Sequence, residues 1–414
     1  MHRVRRLVNV LRTQGPRVAA VKVLDRVRGR LVRGEVEAAP QVEIRMLVRT
    51  EDATDVDWTE PAPWTTSSAT AVERPIRTAW IMHPPGESSG GHQNIFRFID
   101  YLERAGHEAT VYLYHSATHR IDAPYLQKLI RSSRNYPEVR ARFVEYDGRV
   151  APGTDAIFAT GWETAYPAYR DPSDAKRFYF VQDFEPAFYP VGTEHVLAEN
   201  TYRFGFHGIT AGGWLATKLA RDYGMRTTAF DFAADLRSYS YTNTGRRDDL
   251  FFYARPVTTR RGFELGVMAL EHLARERPEV TLHFAGWDVS NYALPFRYVN
   301  HAAMPVTELD ALYNQCAAAL VLSLTNMSLL PLELLASGVV PVINTGENNS
   351  LVSDNPFLTY CEPTPKALAR TLLDVLDNPD QAAHAARAAQ SVAGLSWDRS
   401  GEQFTTFLTE AMRG

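Results

Sequence analysis

Two doubly wound α/β halves in tandem, facing across a cleft, are the fold that this 414-residue sequence predicts. Length is the first reason, because 414 residues exceed what one hydrophobic core usually serves. The second is that short apolar runs alternate with amphipathic stretches of helical period, the pattern of parallel βαβ units. The third is that this alternation closes near residues 241–247 and then begins again. The expected division is a basic amphipathic segment over 1–34, a polar acidic linker over 35–74, one Rossmann-like domain over 75–245, a second over 246–396, and a helix over 397–414 that crosses back to the first.

In residues 1–34, Arg3, Arg5, Arg6, Arg12, Arg17, Lys22, Arg26, Arg28, Arg30 and Arg33 face a single acid, Asp25. Val4, Leu7, Val8 and Leu11, then Val18, Val21, Leu24 and Leu31, recur at helical spacing around a break at Gly15-Pro16. Such a segment suits an anionic membrane surface. It suits equally a helix packed on the protein's own acidic surface, or a poorly ordered tail. Residues 35–74 turn acidic and rich in Pro, Ser and Thr, a linker or wrapping segment to which no chemistry is assigned. Asp55-Val56-Asp57 looks like a metal-binding acid pair, but no strand leads into it.

The first strand is expected over 78–82, followed by a loop through Pro84 to Gly91. A helix then carries Ile95, Phe98, Ile99 and Leu102 on one face and stops at Gly106, before a strand over 109–114. Further strands are expected over 156–159, 177–181 and 208–211, the last feeding a helix over 214–223. The second half reads as strand 250–254, helix 262–275, strands 280–285 and 298–302, helix 306–314, strand 318–322, helix 329–337 and strand 339–344. Two Ala/Leu-rich helices follow Pro365, and a final helix over 397–412 puts Phe404, Phe407, Leu408 and Met412 on one face.

Composition removes several functions. A net charge of −4 and a pI near 6.3 give no reason to expect nucleic acid. Cys316 and Cys361 are two thiols with no partner nearby in sequence. The absence of a secretory h-region and of an 18-residue apolar run makes a cytoplasmic location the expectation, with peripheral contact at the inner membrane face through residues 1–34. The Gly86–Gly91 stretch lacks the Lys-Ser/Thr ending of a P-loop, and no G-x-S-x-G elbow is present. The histidines form no i, i+4 pair around an acid, and only His92 stands beside a candidate loop.

Chemistry concentrates in 325–338, where a strand ends and a helix begins. Ser328 is the expected N-cap, Pro331 is tolerated in the first turn, and Gly338 closes the helix. Its N-terminus, at Ser328, Leu329 and Leu330, would offer unpaired N–H groups and a dipole to an anion. Glu333, one turn inside, would repel a phosphate there and so is expected on sugar hydroxyls. Arg255 follows a strand and Arg261 opens the next helix, so both would reach the same mouth and clamp a departing diphosphate without metal. Asp183 and Glu185, at a strand end of the first half, are the acids best placed for the acceptor or the anomeric centre, with Glu163 a weaker candidate.

Together, Ala254-Arg255 with Arg261-Gly262, Ala285-Gly286-Trp287, and Leu330 to Gly338 resemble the donor domain of retaining glycosyltransferases of family 4, which have the GT-B fold. Gly161-Trp162-Glu163-Thr164-Ala165 and the run from Phe180 through Gln182-Asp183-Phe184-Glu185 to Pro190 resemble the bacterial rhamnosyltransferases of that family that build surface rhamnans. The likeness runs from about Arg77 to the C-terminus. It implies a first domain for the acceptor and a second for the nucleotide. Arg255 and Arg261 become diphosphate ligands and Glu333 the ribose ligand. Gly286 and Trp287, with the loop near Ala303-Met304, would border the base, and Gly90 and Gly91 would approach the donor from across the cleft. The family usually carries an acid eight residues before the glutamate; Thr325 stands there instead, which fits a deoxy-sugar donor.

The implied reaction retains configuration and needs no metal or other cofactor. The donor would be dTDP-L-rhamnose and the acceptor a polysaccharide or lipid-linked glycan. GDP-mannose or a UDP-sugar is the alternative donor. A nucleotide-sugar epimerase of this architecture and an inactive donor-binding partner are the alternatives outside transferases; Thr325 and the apolar Leu329-Leu330 argue against the epimerase.

Overall fold

The computed structural model describes residues 46–64, 74–86, 89–115, 122–133 and 135–413, so the basic segment over 1–34 lies outside the described residues. Residues 46–64 wrap the first half rather than hang free. The Arg49 backbone N–H donates to the Tyr114 hydroxyl at 2.8 Å, Arg170 pairs with Asp52 at 3.2 Å, and Trp64 meets Tyr169 edge-on at 4.6 Å. Asp55 is likewise paired with Arg170, at 3.3 Å.

The strands form two wholly parallel sheets. The first contains β1 (Arg77–Met82), β2 (Glu108–Leu113), β3 (Arg142–Glu145), β4 (Ala156–Ala159), β5 (Lys176–Val181), β6 (His207–Ala211) and β7 (Thr227–Phe230), in the order β3-β2-β1-β4-β5-β6-β7. The second contains β8 (Asp249–Tyr253), β9 (Leu282–Ala285), β10 (Val299–Asn300), β11 (Cys316–Val321), β12 (Val340–Asn344) and β13 (Thr359–Cys361), in the order β10-β9-β8-β11-β12-β13. Both orders reverse direction beside their own first strand, between β1 and β4 and between β8 and β11. Loops diverge at such a point and leave a crevice beyond the strands' carboxyl ends.

The central strands are buried throughout because helices cover both faces. In the first core Trp80 stacks on Phe158 at 4.2 Å and Phe158 on Phe178 at 5.0 Å. The last helix, Trp397–Arg413, crosses back and drives Phe404 into this layer, 5.0 Å from Phe98. Tyr101 donates to Asp398 at 2.9 Å, and Gly401 lies so close to the Tyr101 ring that a Cβ there would stand 2.2 Å away. The second core gathers Phe252, Phe263, Phe284, Leu270 and Leu372, with Gly266 pressed on the Phe252 ring.

Three expectations are corrected. Gly90 and Gly91 are not loop residues: the helix runs Gly90–Arg104, capped by the Ser89 hydroxyl, which accepts from the His92 N–H at 3.4 Å. The expected strand over 298–302 is only the pair Val299–Asn300, because Ala302 takes a positive φ of 52° and turns the chain away. The expected Ser328 cap is absent: the helix is Leu330–Ala336, no side chain caps it, and Ser328 Oγ is buried without a hydrogen-bond partner among the described residues.

Candidate active site

A cavity of about 610 Å³ opens between the two sheets at their switch points. His83, Gly90, Gly91, Gly161 and Glu163 line it from the first half, and Tyr253, Arg260, Arg261, Ser328 and Glu333 from the second.

On the second half the loop after β11 is held by amides. Asn344 Nδ2 and Asn349 Nδ2 donate to the Ser323 carbonyl at 3.0 and 3.1 Å, Asn344 Oδ1 accepts from the Ser323 N–H at 2.8 Å, and Asn348 donates to the Thr325 carbonyl. Against this loop Arg261 Nη1 donates to Ser323 Oγ at 2.7 Å. Burial holds the Arg261 guanidinium below its usual range, so it is a desolvated cation on the cavity wall with no ion-pair partner among the described residues. A desolvated cation attracts an anion far more strongly than an exposed one.

Arg260, rather than Arg255, stands beside Arg261 on that wall. Its guanidinium lies 4.0 Å over the Phe188 ring and donates to Asp183 at 3.2 Å. Arg255 points outward, 5.9 Å over the exposed Trp287 ring and 3.5 Å from the Gly286 carbonyl. Neither Arg255, Gly286 nor Trp287 lines the cavity. Gly286 has φ +115°, and a Cβ on it would sit 2.7 Å from the Tyr253 ring. The glycine therefore lets Tyr253 hold its place on the cavity wall.

The helix after Ser328 offers less to an anion than its sequence suggests. It spans seven residues, Pro331 has no N–H, and the Leu332 and Glu333 N–H groups both donate to the Leu329 carbonyl. Two unpartnered polar atoms mark the spot instead: the Ser328 hydroxyl, which can donate or accept, and Asn326 Oδ1, which accepts, are both buried without partners among the described residues. The stronger helix terminus is across the cleft. There Gly90 and Gly91 begin a 15-residue helix whose axis ends at the cavity, and bare glycine N–H groups allow close approach. Glu333 lies on the cavity wall beside Tyr239, with which it hydrogen-bonds, and burial raises its carboxyl to about 7 while Arg97 opposes the rise.

Asp183 does not stand free as a catalytic acid would. Its Oδ1 accepts from the Asn326 N–H at 2.8 Å and the Phe184 N–H at 2.8 Å; its Oδ2 accepts from Thr325 Oγ1 at 3.0 Å and Arg260 Nε at 3.2 Å. Asn326 Nδ2 adds bonds to the Gln182 and Ala211 carbonyls at 3.1 and 2.8 Å. Asp183 thus latches the loop after β11 in one half to the strand ends of the other. Thr325, set where an acid would repel Asp183, is what lets that latch form. Glu185 is buried beneath Glu163, accepting from the Trp162 N–H at 2.5 Å and the Tyr179 hydroxyl at 2.8 Å, and burial followed by the Glu163 charge pushes it up to about 8. Among the described residues no group of three or more His, Cys, Asp or Glu is arranged to hold a metal, and no helix is long and apolar enough to cross a membrane.

Comparison with solved structures places this architecture. Sucrose-phosphate synthase from Thermosynechococcus elongatus superposes with a TM-score of 0.62 at 13% identity, over 81% of this chain and 99% of that one. Anabaena HepE in complex with UDP-glucose gives 0.60 at 14% identity, over 81% and 100%. The chain has the GT-B fold. On this GT-B frame, the family model described as WsaF, N-terminal domain matches residues 147–211, which hold Glu163, Asp183 and Glu185. The model described as WsaF, C-terminal domain matches residues 248–373, which hold Arg255, Arg261 and Glu333. The O-antigen biosynthesis protein RfbC of Myxococcus xanthus is 32% identical over 396 residues, 92% of this chain. The chain spans 31% of the length of that relative. The paired WsaF matches and the relative, on a GT-B fold, support a bacterial glycosyltransferase.

Proposed function

We propose that this chain is a retaining glycosyltransferase that moves L-rhamnose from dTDP-L-rhamnose to a hydroxyl of a polysaccharide or lipid-linked glycan. The observation that carries the reading is the pair of guanidinium groups, Arg260 and Arg261, facing the N–H groups of Gly90 and Gly91 across one cavity. Those four groups suit a diphosphate, whose charge grows as the sugar leaves. The reading is metal-independent: Arg261, with no ion-pair partner among the described residues, and the Gly90 and Gly91 N–H groups would carry the diphosphate, with Arg260 shared between it and Asp183.

The rhamnosyl assignment is supported by the run from Phe180 to Pro190 and by the apolar Leu329 and Leu330 on the cavity wall, which suit a sugar with a methyl group. The O-antigen name of the Myxococcus relative agrees with a surface-glycan acceptor. The acceptor enters from the first half, beside Glu163. Residues 1–34 would keep the enzyme at the anionic inner face of the membrane, where lipid-linked acceptors are found.

In the reaction the C1–O bond to the diphosphate breaks as the acceptor oxygen approaches C1 on the same face. The enzyme's part is orientation and leaving-group stabilisation. A thermal-shift panel of dTDP-L-rhamnose, GDP-mannose and UDP-glucose tests the donor: the dTDP sugar is expected to raise the unfolding midpoint by mass action and the others not to. A shift with GDP-mannose and none with the dTDP sugar would move the assignment to a mannosyltransferase.

A further inference from the structure

The two walls that face the diphosphate are joined at one dipeptide. Asp183 takes Arg260 and the loop after β11, and its neighbour Gln182 takes the opposite wall. Gln182 follows β5, and its carbonyl accepts from Asn326 Nδ2 at 3.1 Å. Its side chain turns to the start of the Gly90–Arg104 helix, where Nε2 donates to the Gly91 carbonyl at 3.1 Å. The approach is close: a Cβ on Gly91 would lie 3.4 Å from that same nitrogen.

The helix start needs such a hold. The Gln93 N–H makes the first backbone bond, to the Ser89 carbonyl at 2.8 Å, and the His92 N–H goes to the Ser89 hydroxyl at 3.4 Å. Among the described residues of this first turn, the Gly90 and Gly91 N–H groups are the ones left for a ligand. Two consecutive glycines are also the freest pair a backbone can offer, so without an outside contact the turn that carries those donors is poorly preorganised.

A terminal amide can present its oxygen or its nitrogen, and the wrong choice at Gln182 would set two oxygens against each other at Gly91. The choice is made outside the cavity. Arg97 lies 4.0 Å over the ring of Trp397, the first residue of the crossing helix, and its Nη1 donates to Asn94 Oδ1 at 2.5 Å. A guanidinium can only donate, so it fixes Asn94 with Oδ1 towards it and Nδ2 free to donate elsewhere. Asn94 Nδ2 donates to Gln182 Oε1 at 3.2 Å, which leaves Gln182 Nε2 for the Gly91 carbonyl. One direction of donation thus runs from Arg97 through two amides to the glycine turn.

Resting on the transferase reading above, we infer that Gln182 is a positioning residue for the diphosphate, and that Arg97 sets its orientation through Asn94. Gln182 keeps the Gly90 and Gly91 donors at a fixed spacing from the arginines across the cavity. Its effect falls on the diphosphate and not on the nucleoside, because it acts through those donors. Arg97 does not line the cavity. It also bears electrostatically on Glu333, an influence common to a nucleoside and its diphosphate.

The test titrates the full chain with dTDP, UDP and GDP, each beside its own nucleoside, and reads the ratio of the two affinities for whichever base binds. Gln182→Met keeps the length of the side chain and loses both amide bonds. It is expected to narrow the ratio about tenfold, with nucleoside affinity unchanged and the unfolding midpoint within about 3 °C. Gln182→Glu still accepts from Asn94 but cannot donate to the Gly91 carbonyl, and is expected to narrow the ratio at least as far. Arg97→Met is expected to narrow it too, whereas Arg97→Lys, which still donates to Asn94, keeps it. A ratio unchanged in Gln182→Met, or narrowed equally by Arg97→Lys and Arg97→Met, would overturn the inference. Equal losses of nucleoside and diphosphate affinity, the mark of a merely structural role, would overturn it as well. If no diphosphate outbinds its nucleoside in the unaltered protein, the reading above fails instead and takes this inference with it.

Discussion

Arg261→Ala is expected to lower kcat/KM about 100- to 1,000-fold, a loss of roughly 3–4 kcal/mol of transition-state stabilisation, with most of the effect shared by nucleotide diphosphate affinity. The size follows from where the cation sits. Its guanidinium is desolvated, bonded to Ser323 at 2.7 Å, and lines the cavity with no carboxylate in ion-pair contact among the described residues, the nearby Asp183 being bonded to Arg260. Arg261→Lys is expected to recover little, since a point charge cannot keep the Ser323 bond and also grip a planar pair of phosphate oxygens. Arg255→Ala provides the contrast: its side chain lies over Trp287 outside the cavity wall, so less than about a tenfold change is expected. Steady-state kinetics beside dTDP titrations separate the three variants. An Arg261→Ala protein within twofold of the unaltered one would remove the diphosphate from this wall.

Asp183→Ala has the second large effect, and for a different reason. It releases Thr325, the Asn326 N–H and Arg260 together, and leaves a buried backbone donor unpaired, at a cost of about 1–3 kcal/mol for that donor alone. The loop after β11 then loses its hold on the first half, and Arg260 its orientation. The expected result is a lower unfolding midpoint, weaker dTDP binding and a roughly 100-fold lower kcat/KM. Thermal denaturation, titration and steady-state kinetics check the three parts. Lost turnover with unchanged dTDP affinity would instead place Asp183 against the reacting atoms.

Much of the fold was legible because buried parallel strands are apolar from end to end. The runs at Ala156–Ala159 and Cys316–Val321 could scarcely be anything else. The edge strands Arg142–Glu145 and Thr359–Cys361 escaped because half-exposed edges carry mixed residues. The Trp162–Arg170 helix is hard to read from sequence because its N-cap is Gly161 and Pro167 lies inside it, residues that ordinarily interrupt a helix.

In the site, glycines and arginines drew the eye to the right loops but not to the right partners. Which of Arg255 and Arg260 faces the cavity depends on Thr259–Arg261 forming a turn of 3-10 helix, a matter of one rotation that spacing does not encode. The bond between Asp183 and Thr325 joins residues 142 positions apart, and nothing local in either segment announces it. The asparagines at 344, 348 and 349 that brace the loop after β11 look like ordinary turn residues until the loop is seen folded over them.

The central claim is that the cavity between the sheets holds a diphosphate on Arg260 and Arg261. Calorimetric titration of dTDP, UDP and GDP, each beside its own nucleoside, tests it most directly. Whichever base is accepted, the nucleoside is expected to bind at least about 100-fold more weakly than its diphosphate, about 2.7 kcal/mol, and the gap should close in the Arg260→Ala, Arg261→Ala double variant. A nucleoside that binds as tightly as its diphosphate, or a gap that persists in the double variant, would contradict the account.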